Sequence, residues 1–220
     1  MNLSKLKHAE EAFLERYPGG FDNPEIIATR KKKHNVDKMI EFARKSFSKN
    51  NFKLPDSVIQ SMGKVVSRSS IISVYEKPRF KDFADTLFPE ERELLTSGLK
   101  ELLHGREQIG FETILGLLKS RKLAKWPLMT VYQTYFHPQR EVFVKPTTVK
   151  GIIEYFELKH LQYEPTPSWA FYDAYRSSFH EIKSRVDVSL SPSNVAFSWF
   201  LLLSIHRKVF ESFVDPAITL

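Results

Sequence analysis

The chain has 220 residues, of which 42% are hydrophobic and 27% charged, so it is long enough to bury a substantial core and its composition excludes wholesale disorder. Its formal net charge of +7 favours acidic or phosphate-bearing partners. The absence of cysteine excludes disulfides, thiolate zinc sites and a cysteine nucleophile.

The amino-terminal segment, MNLSKLKHAEEAFLERY, mixes charged and apolar residues at helical spacing. It lacks the continuous apolar stretch of a secretory signal. The most apolar segment of the chain, Val195 to Ile205, is shorter than the roughly 20 residues that span a bilayer, and we interpret it as a buried helix. We therefore expect a cytoplasmic protein with no membrane partner.

Prolines mark the predicted helix starts, because proline at the first helical position removes an N–H group that has no partner there. Three of these prolines directly follow a good capping residue: Asn23-Pro24, Thr166-Pro167 and Ser191-Pro192. Four others follow a poorer cap: Leu54-Pro55, Phe88-Pro89, Trp126-Pro127 and Lys145-Pro146. In the first and last of these four, Asp56 and Thr147 offer a capping side chain one residue later.

Apolar residues recur with the period of an α-helix along nearly the whole chain. Single apolar stripes run through the segments 6–17, 36–47, 58–66, 95–103, 111–118, 149–156 and 169–186. The HGREQIG segment between the fourth and fifth stripes predicts the turn of a helical hairpin.

Only two segments resemble strands, Ile71 to Tyr75 and Glu141 to Val144, and both are too short and isolated to build a sheet. We predict an all-α fold of about nine helices, with helical hairpins and few or no strands, in a single compact domain that covers residues 1–220. The basic stretch KSRKLAKWP at 119–127 is the best candidate boundary. It would divide the chain into lobes 1–120 and 126–220 that share one core.

Five segments occur in an order that resembles an uncharacterised family of bacterial proteins of similar length: YPGGFDNPE, KWPLMTVYQTYFHP, FVKPTTVKGIIEYF, YEPTPSWAFYDAY and NVAFSWFLLL. The shared elements fall at Pro18 to Phe21, Trp126-Pro127, Lys145-Pro146, and Trp169 with Tyr172. The resemblance covers most of the chain. It implies one domain of bacterial or phage origin, and it brings no activity that could be transferred.

The usual signatures of enzymes and cofactor sites are absent from the sequence. No Walker loop, dinucleotide-binding fingerprint or Gly-x-Ser-x-Gly motif is present, and no two of the 7 histidines have the spacing of three or four that places both on one helix face. We therefore expect no cofactor and no local metal site, and a non-enzymatic role is favoured. An enzyme whose site is assembled from residues distant in sequence stays open.

Two basic stretches supply most of the candidate binding residues. Arg30, Lys31, Lys32 and Lys33 form the densest run and fall between two helical patterns, so we expect them in a turn from which they reach phosphates. The alternative interpretation is a solvated loop.

The second basic stretch lies next to an aromatic segment. Lys119, Arg121, Lys122 and Lys125 precede Trp126, Tyr132 and Tyr135, and Arg140 follows them. Basic residues interleaved with aromatic ones suit single-stranded nucleic acid, whose bases stack on aromatic rings. The alternative is that these aromatic side chains belong to the core.

Lys145 precedes a predicted helix start at Pro146. The N–H groups of Thr147, Thr148 and Val149, together with the helix dipole, would add to its positive charge and favour an anion. The alternative is an ordinary helix start with no ligand.

Two functional hypotheses from different classes follow from these patterns. The first is a non-enzymatic helical module that binds DNA, RNA or another polyanion through basic turns. The second is an adaptor that docks an acidic protein partner through exposed aromatic residues between Trp126 and Phe143 and a basic helix surface. The sequence does not indicate the oligomeric state.

Overall fold

The computed structural model describes residues 1–33 and 36–205, with the backbone alone for residues 29–33. Within these ranges the chain forms eleven α-helices, three short 3₁₀ helices and no β-strand, which confirms the predicted all-α fold. The helices are α1 (Leu3–Arg16), α2 (Pro24–Lys33), α3 (Val36–Ser46), α4 (Pro55–Arg68), α5 (Glu76–Asp85), α6 (Pro89–His104), α7 (Glu107–Ser120), α8 (Trp126–Phe136), α9 (Pro146–Tyr155), α10 (Trp169–Lys183) and α11 (Asn194–Ile205).

Helix α5 has no counterpart among the predicted apolar stripes. Its buried residues are only Phe80, Phe83 and Ala84, and most of its other positions are charged, so its periodicity is weak. The preceding segment 71–75, a strand candidate in the sequence, forms turns and a bend, and the other strand candidate, 141–144, has no regular secondary structure.

Most of the predicted helix starts are confirmed. Helices α2, α4, α6 and α9 begin at the expected prolines, α8 begins one residue before Pro127, and Asn23 caps α2 by accepting a hydrogen bond from the Glu25 N–H at 3.0 Å. The Leu54 and Lys145 side chains at the cap positions of α4 and α9 form no capping bond. Asp56 and Thr147 lie inside the first turn of these helices, and neither accepts a capping bond among the described residues, so their suggested capping roles were wrong.

The helix starts predicted at Thr166-Pro167 and Ser191-Pro192 were wrong by two residues. In both segments a serine follows the proline, and this serine is the cap. Ser168 Oγ accepts a hydrogen bond from the Phe171 N–H at 3.3 Å, and Ser193 Oγ accepts one from the Ala196 N–H at 3.2 Å. Each of these serines accepts a hydrogen bond from a backbone N–H of the first helical turn that would otherwise have no partner, so α10 and α11 begin directly after them.

The predicted hairpin is formed by α6 and α7, which are joined by Gly105 and Arg106. The two helices approach closely because glycine stands at their contact. A Cβ atom added to Gly110 of α7 would lie only 2.5 Å from the carbonyl oxygen of Gly98 on α6, and closer still to the Leu102 backbone nitrogen. The close approach of the two helices therefore requires glycine at position 110.

The buried apolar residues form one hydrophobic core to which both halves of the chain contribute. Helix α8, which follows the basic stretch, packs against α3 and α4, and α7 packs against α10. The first helix closes on the end of the described chain, since α1 contacts α11 and Glu10 Oε1 accepts a hydrogen bond from the Asp187 N–H at 2.6 Å. Within the described residues, no helix combines the length and apolar character needed to cross a bilayer.

A charged network is enclosed beside this core. Arg176 of α10 lies with Nη1 2.8 Å from Glu141 Oε1 and 2.8 Å from Glu107 Oε2, while its Nη2 lies 2.8 Å from Asp173 Oδ1. The Glu141 side chain is only 3% exposed, so its charge depends on these protein partners rather than on water.

Aromatic residues complete this network. The guanidinium carbon of Arg176 lies 5.4 Å from the Trp169 ring centroid and 5.5 Å from that of Tyr172, which suits cation–π attraction. The Tyr172 hydroxyl donates to Glu141 Oε2 at 2.7 Å, and burial, together with the Glu141 charge, raises the pKa of Tyr172. Tyr172 therefore keeps its proton and remains a hydrogen-bond donor to the buried carboxylate.

We predict that Gly110→Ala lowers the free energy of unfolding by about 1–3 kcal/mol, because the new methyl group forces α6 and α7 apart. Gly116→Ala on the same helix is the control, since a Cβ there meets nothing within 4 Å and alanine favours the helix by about 0.5–1 kcal/mol. Urea denaturation measures both values. Equal effects of the two substitutions would contradict the close approach at Gly110.

We predict that Arg176→Met lowers the free energy of unfolding by about 3–5 kcal/mol, because the buried Glu141 carboxylate loses one of its two cations and keeps only the half-exposed Arg140 among the described residues. Arg185→Met is the control. Arg185 forms an exposed ion pair with Glu181 at 2.9 Å, and its loss should change stability by about 1 kcal/mol or less. If both variants unfold at the same urea concentration, the Arg176 network is not needed for stability.

Candidate polyanion-binding surface

The basic stretch at 119–127 forms the turn between α7 and α8, and its backbone is fixed by hydrogen bonds. The Lys122 N–H donates to the Lys119 carbonyl at 3.0 Å, and the Leu123 N–H donates to the Leu118 carbonyl at 2.7 Å. This is a Schellman motif, with Lys122 in the left-handed conformation at φ 55°. Leu123 is buried and anchors the turn, so the positions of its lysines are set by the fold.

The candidate residues differ in whether they already have a carboxylate partner. Arg121 Nη2 lies 3.0 and 2.9 Å from the two carboxylate oxygens of Glu91, and Arg140 binds both Glu107 and Glu141 at 2.7 Å. The exposed candidates without an ion pair in the described structure are Lys119, Lys122, Lys125 and Lys145. The two arginines thus stabilise the fold, and these four lysines keep their charge available.

Helix α5 adds cations that the sequence analysis missed. Arg79 Nη2 donates to the Lys122 carbonyl oxygen at 3.3 Å, so this guanidinium lies beside the basic turn. Burial raises the pKa of Glu76 at the start of α5, and the charges of Lys125 and Arg79 act in the opposite direction. Lys125 therefore also lies near α5. The KPRFK segment at 77–81, in which cations alternate with apolar residues, could have indicated these additional cations, but α5 itself was not predicted.

A groove of about 1160 Å³ lies between α4, α5 and the start of α6. The charged side chains that line it are Lys64, Lys77, Lys81, Arg92, Asp56 and Asp85. Arg92 Nη1 binds Asp56 Oδ1 at 2.9 Å. The three lysines form no ion pair with a described residue, so the groove has an excess of positive charge.

The aromatic residues beside the basic turn belong to the core. Trp126, Tyr132 and Tyr135 are each 1% exposed, and Trp126 Nε1 donates to the Glu164 carbonyl at 2.7 Å. The interpretation that these rings stack on nucleic-acid bases was therefore wrong, because no base can reach their faces.

The backbone of Arg30, Lys31, Lys32 and Lys33 forms the end of α2 rather than the predicted turn. Helix α2 simply continues through this basic run, because lysine and arginine have good helix propensity. Their side chains, and His34 as a whole, lie outside the described residues.

Lys145 is exposed and occupies the cap position of α9. The Val149 N–H donates to the Lys145 carbonyl at 2.9 Å, so the expectation that the Val149 N–H is free to bind an anion was wrong. The Val144 N–H donates to Thr130 Oγ1 at 3.1 Å, which shows that the segment 141–145 runs back along α8. Lys145 therefore lies towards the end of α8 at which the basic turn joins it.

No family model matches the chain, and no curated protein or solved structure matches it either. The resemblance to an uncharacterised bacterial family stays a prediction. Several residues that carry it have a structural role: Gly20 adopts φ 61° where a Cβ would lie 2.7 Å from the Ser189 carbonyl oxygen, and the Trp169 and Tyr172 rings flank Arg176.

We predict that Thr147→Ala changes the free energy of unfolding by about 0.5 kcal/mol or less, because the exposed Thr147 hydroxyl caps nothing. Lys145→Ala should also leave stability nearly unchanged, but it should reduce by about one unit the slope of log affinity against log salt for a polyanion. Thermal unfolding and salt titration measure the two effects. An unchanged slope for Lys145→Ala would remove Lys145 from the candidate surface.

Proposed function

We propose that this protein is a non-enzymatic binding module that engages the phosphate backbone of nucleic acid, or another polyanion, through the turn between α7 and α8. This function is supported by a difference between the basic residues of one short turn, some of which have a carboxylate partner while others do not. Arg121 is bound to Glu91, whereas Lys119, Lys122 and Lys125 are exposed with no carboxylate partner among the described residues. Arg79 beside the turn adds a fourth cation.

Lysines without a carboxylate partner suit this function for an electrostatic reason. When such a lysine meets a phosphate, counterions leave the nucleic acid and add a favourable entropy. An arginine already held by a carboxylate must first give up that bond. The hydrogen-bonded backbone of the turn also means that little ordering of the main chain is needed on binding.

The remaining candidate residues join this proposal in different ways. Lys145 extends the surface along α8, and Arg30 to Lys33 stay proposed contacts of a second basic region at the end of α2. Arg140 is proposed to stabilise the fold and not to contact the ligand, since it binds Glu107 and Glu141. Recognition at the turn would depend on phosphates and not on bases, because the neighbouring aromatic rings are buried.

An adaptor for an acidic protein is the alternative function. It would use the same cations, but the aromatic anchor expected for it between Trp126 and Phe143 is mostly enclosed by the fold. Interfaces usually depend on a few large side chains that a partner can bury. Charge alone therefore gives the adaptor less support than it gives polyanion binding.

The direct test is fluorescence anisotropy with labelled DNA and RNA oligomers over a range of salt concentrations. We expect binding at low salt that weakens linearly on a log–log scale as salt rises. The absence of binding to either nucleic acid at low salt would refute nucleic acid as the ligand, and the same titration with heparin would then test other polyanions.

We predict that Lys122→Gly separates binding from stability. Glycine relieves the left-handed strain at this position, so the free energy of unfolding should rise by about 1 kcal/mol. The lost charge should weaken polyanion binding and reduce the salt slope by about 0.9 for duplex DNA. Denaturation and salt titration measure the two changes.

Two further variants are the controls for Lys122→Gly. Arg121→Gln should leave the salt slope unchanged, because its guanidinium is held by Glu91. Lys100→Gln removes the same charge from α6 at about 13 Å along the helix from Glu91, and it should also leave the slope unchanged. If Lys122→Gly and Lys100→Gln reduce affinity equally, the effect reflects net charge and the turn is not the binding surface.

A further inference from the structure

The start of α5 presents a large exposed aromatic ring. Tyr75 is 81% exposed, and Val74 beside it is 70% exposed. The backbone that carries this ring is ordered, because the Tyr75 N–H donates to Ser73 Oγ at 3.2 Å and the Ser73 N–H donates to Glu76 Oε2 at 3.3 Å. The fold thus holds an apolar surface in water at a defined place.

Cations follow Tyr75 along α5 on two sides of the helix. Lys77 and Lys81 are one turn apart, about 6 Å along the axis, and both line the groove with Lys64 of α4. Arg79 lies on the other side, against the basic turn. Helix α5 therefore connects the proposed phosphate-binding turn to the groove.

The charges in the groove are unevenly distributed. Helices α4 and α5 are joined by a short connection and pack against each other, so the start of α5 lies near the end of α4. Lys64 and Lys77 are therefore at the Tyr75 end. Asp56 and Asp85 are at the opposite end, where Arg92 already binds Asp56. Lysines without an ion pair among the described residues are therefore concentrated near the exposed ring, and the carboxylate next to that ring is Glu76, which accepts a hydrogen bond from the Ser73 N–H.

We propose that the surface formed by Tyr75, Lys77, Arg79, Lys81 and Lys64 binds single-stranded nucleic acid in preference to a duplex, with Tyr75 stacking on a base. This inference rests on the proposed function and names the form of nucleic acid that it binds. A single strand offers free base faces and phosphates together, which an aromatic ring beside a row of cations accepts. A duplex keeps its bases stacked on one another, so it offers Tyr75 no base face.

An acidic protein segment is the competing occupant, since carboxylates would also satisfy these lysines. The single strand fits better, because an exposed ring adjoins cations that continue into a second set in the turn between α7 and α8. A strand that passes along α5 meets phosphate-binding side chains on both sides of the helix. A short acidic peptide would bind the cations of the groove or those of the turn between α7 and α8, and the other group of cations would have no partner.

The test compares a labelled 12-nucleotide oligo(dT), the same length of oligo(U) and a 12-base-pair duplex in anisotropy titrations with the full chain. We expect tighter binding of at least one single strand than of the duplex. Tyr75→Ala should weaken single-strand binding about 5- to 100-fold without changing the salt slope. Tyr75→Phe should retain the affinity, and Lys77→Gln should reduce the slope by about 0.7.

Leu94→Ala is the matched control, because it also removes an exposed apolar side chain and should leave binding unchanged. Stronger binding of the duplex, or unchanged single-strand affinity in Tyr75→Ala, would overturn the inference. The proposed function would survive that result if Lys122→Gly still reduced the salt slope. Binding of labelled poly-glutamate, with no binding of any oligonucleotide at low salt, would overturn the inference, refute nucleic acid as the ligand of the proposed function and favour an acidic protein partner.

Discussion

The pairing of Arg176 with the buried Glu141 carboxylate is the constraint on which much of the fold depends. Glu141 has almost no access to water, so its charge must be balanced by Arg176 of α10 and by the neighbouring Arg140, and both arginines also bind Glu107 of α7. The Tyr172 hydroxyl and the neighbouring Asn194, which donates to the Glu141 carbonyl at 3.1 Å, bring α10 and α11 to the same point. The segment 141–145 is thereby positioned along α8, and α9 begins where that segment ends.

Ion pairs between arginines and carboxylates also decide which basic side chains stay available to a ligand. Arg140 and Arg121 belong to conspicuous basic stretches, yet each is bound to carboxylates from other helices. Lysines nearby are left without such partners, and lysine is the more strongly hydrated and mobile of the two cations. The chain thus uses Arg121 and Arg140 to join its elements and presents lysines, together with Arg79, on the candidate surface, so the net charge alone is a poor guide to binding.

The periodicity of apolar residues was enough to predict the fold class and the α6–α7 hairpin, and the prolines predicted most helix starts. It failed for α5, whose short stripe of Phe80, Phe83 and Ala84 is surrounded by charges. The ion pairs could not be predicted, because Arg176 and Glu141 are 35 positions apart and no local pattern records such a contact. For Trp126 and Tyr132 the sequence left both a core and a surface position open, since an aromatic residue that follows lysines occurs in either, and the structure confirms the core alternative. The groove between α4 and α5 could not be predicted either, because α5 itself was not predicted from the sequence.

The contact between α1 and α11 has a consequence for how the chain reaches its native state. The Glu10 side chain and the Asp187 backbone are 177 positions apart, so this closure depends on residues that are synthesised much later than α1. Nascent chains emerge at about 5–20 residues per second, which leaves the apolar stripe of α1 without its partner for roughly 10–40 s. During that time Leu6 and Phe13, both buried in the finished fold, face the solvent or a chaperone. Helix α1 is thus made long before α11, the helix against which it packs.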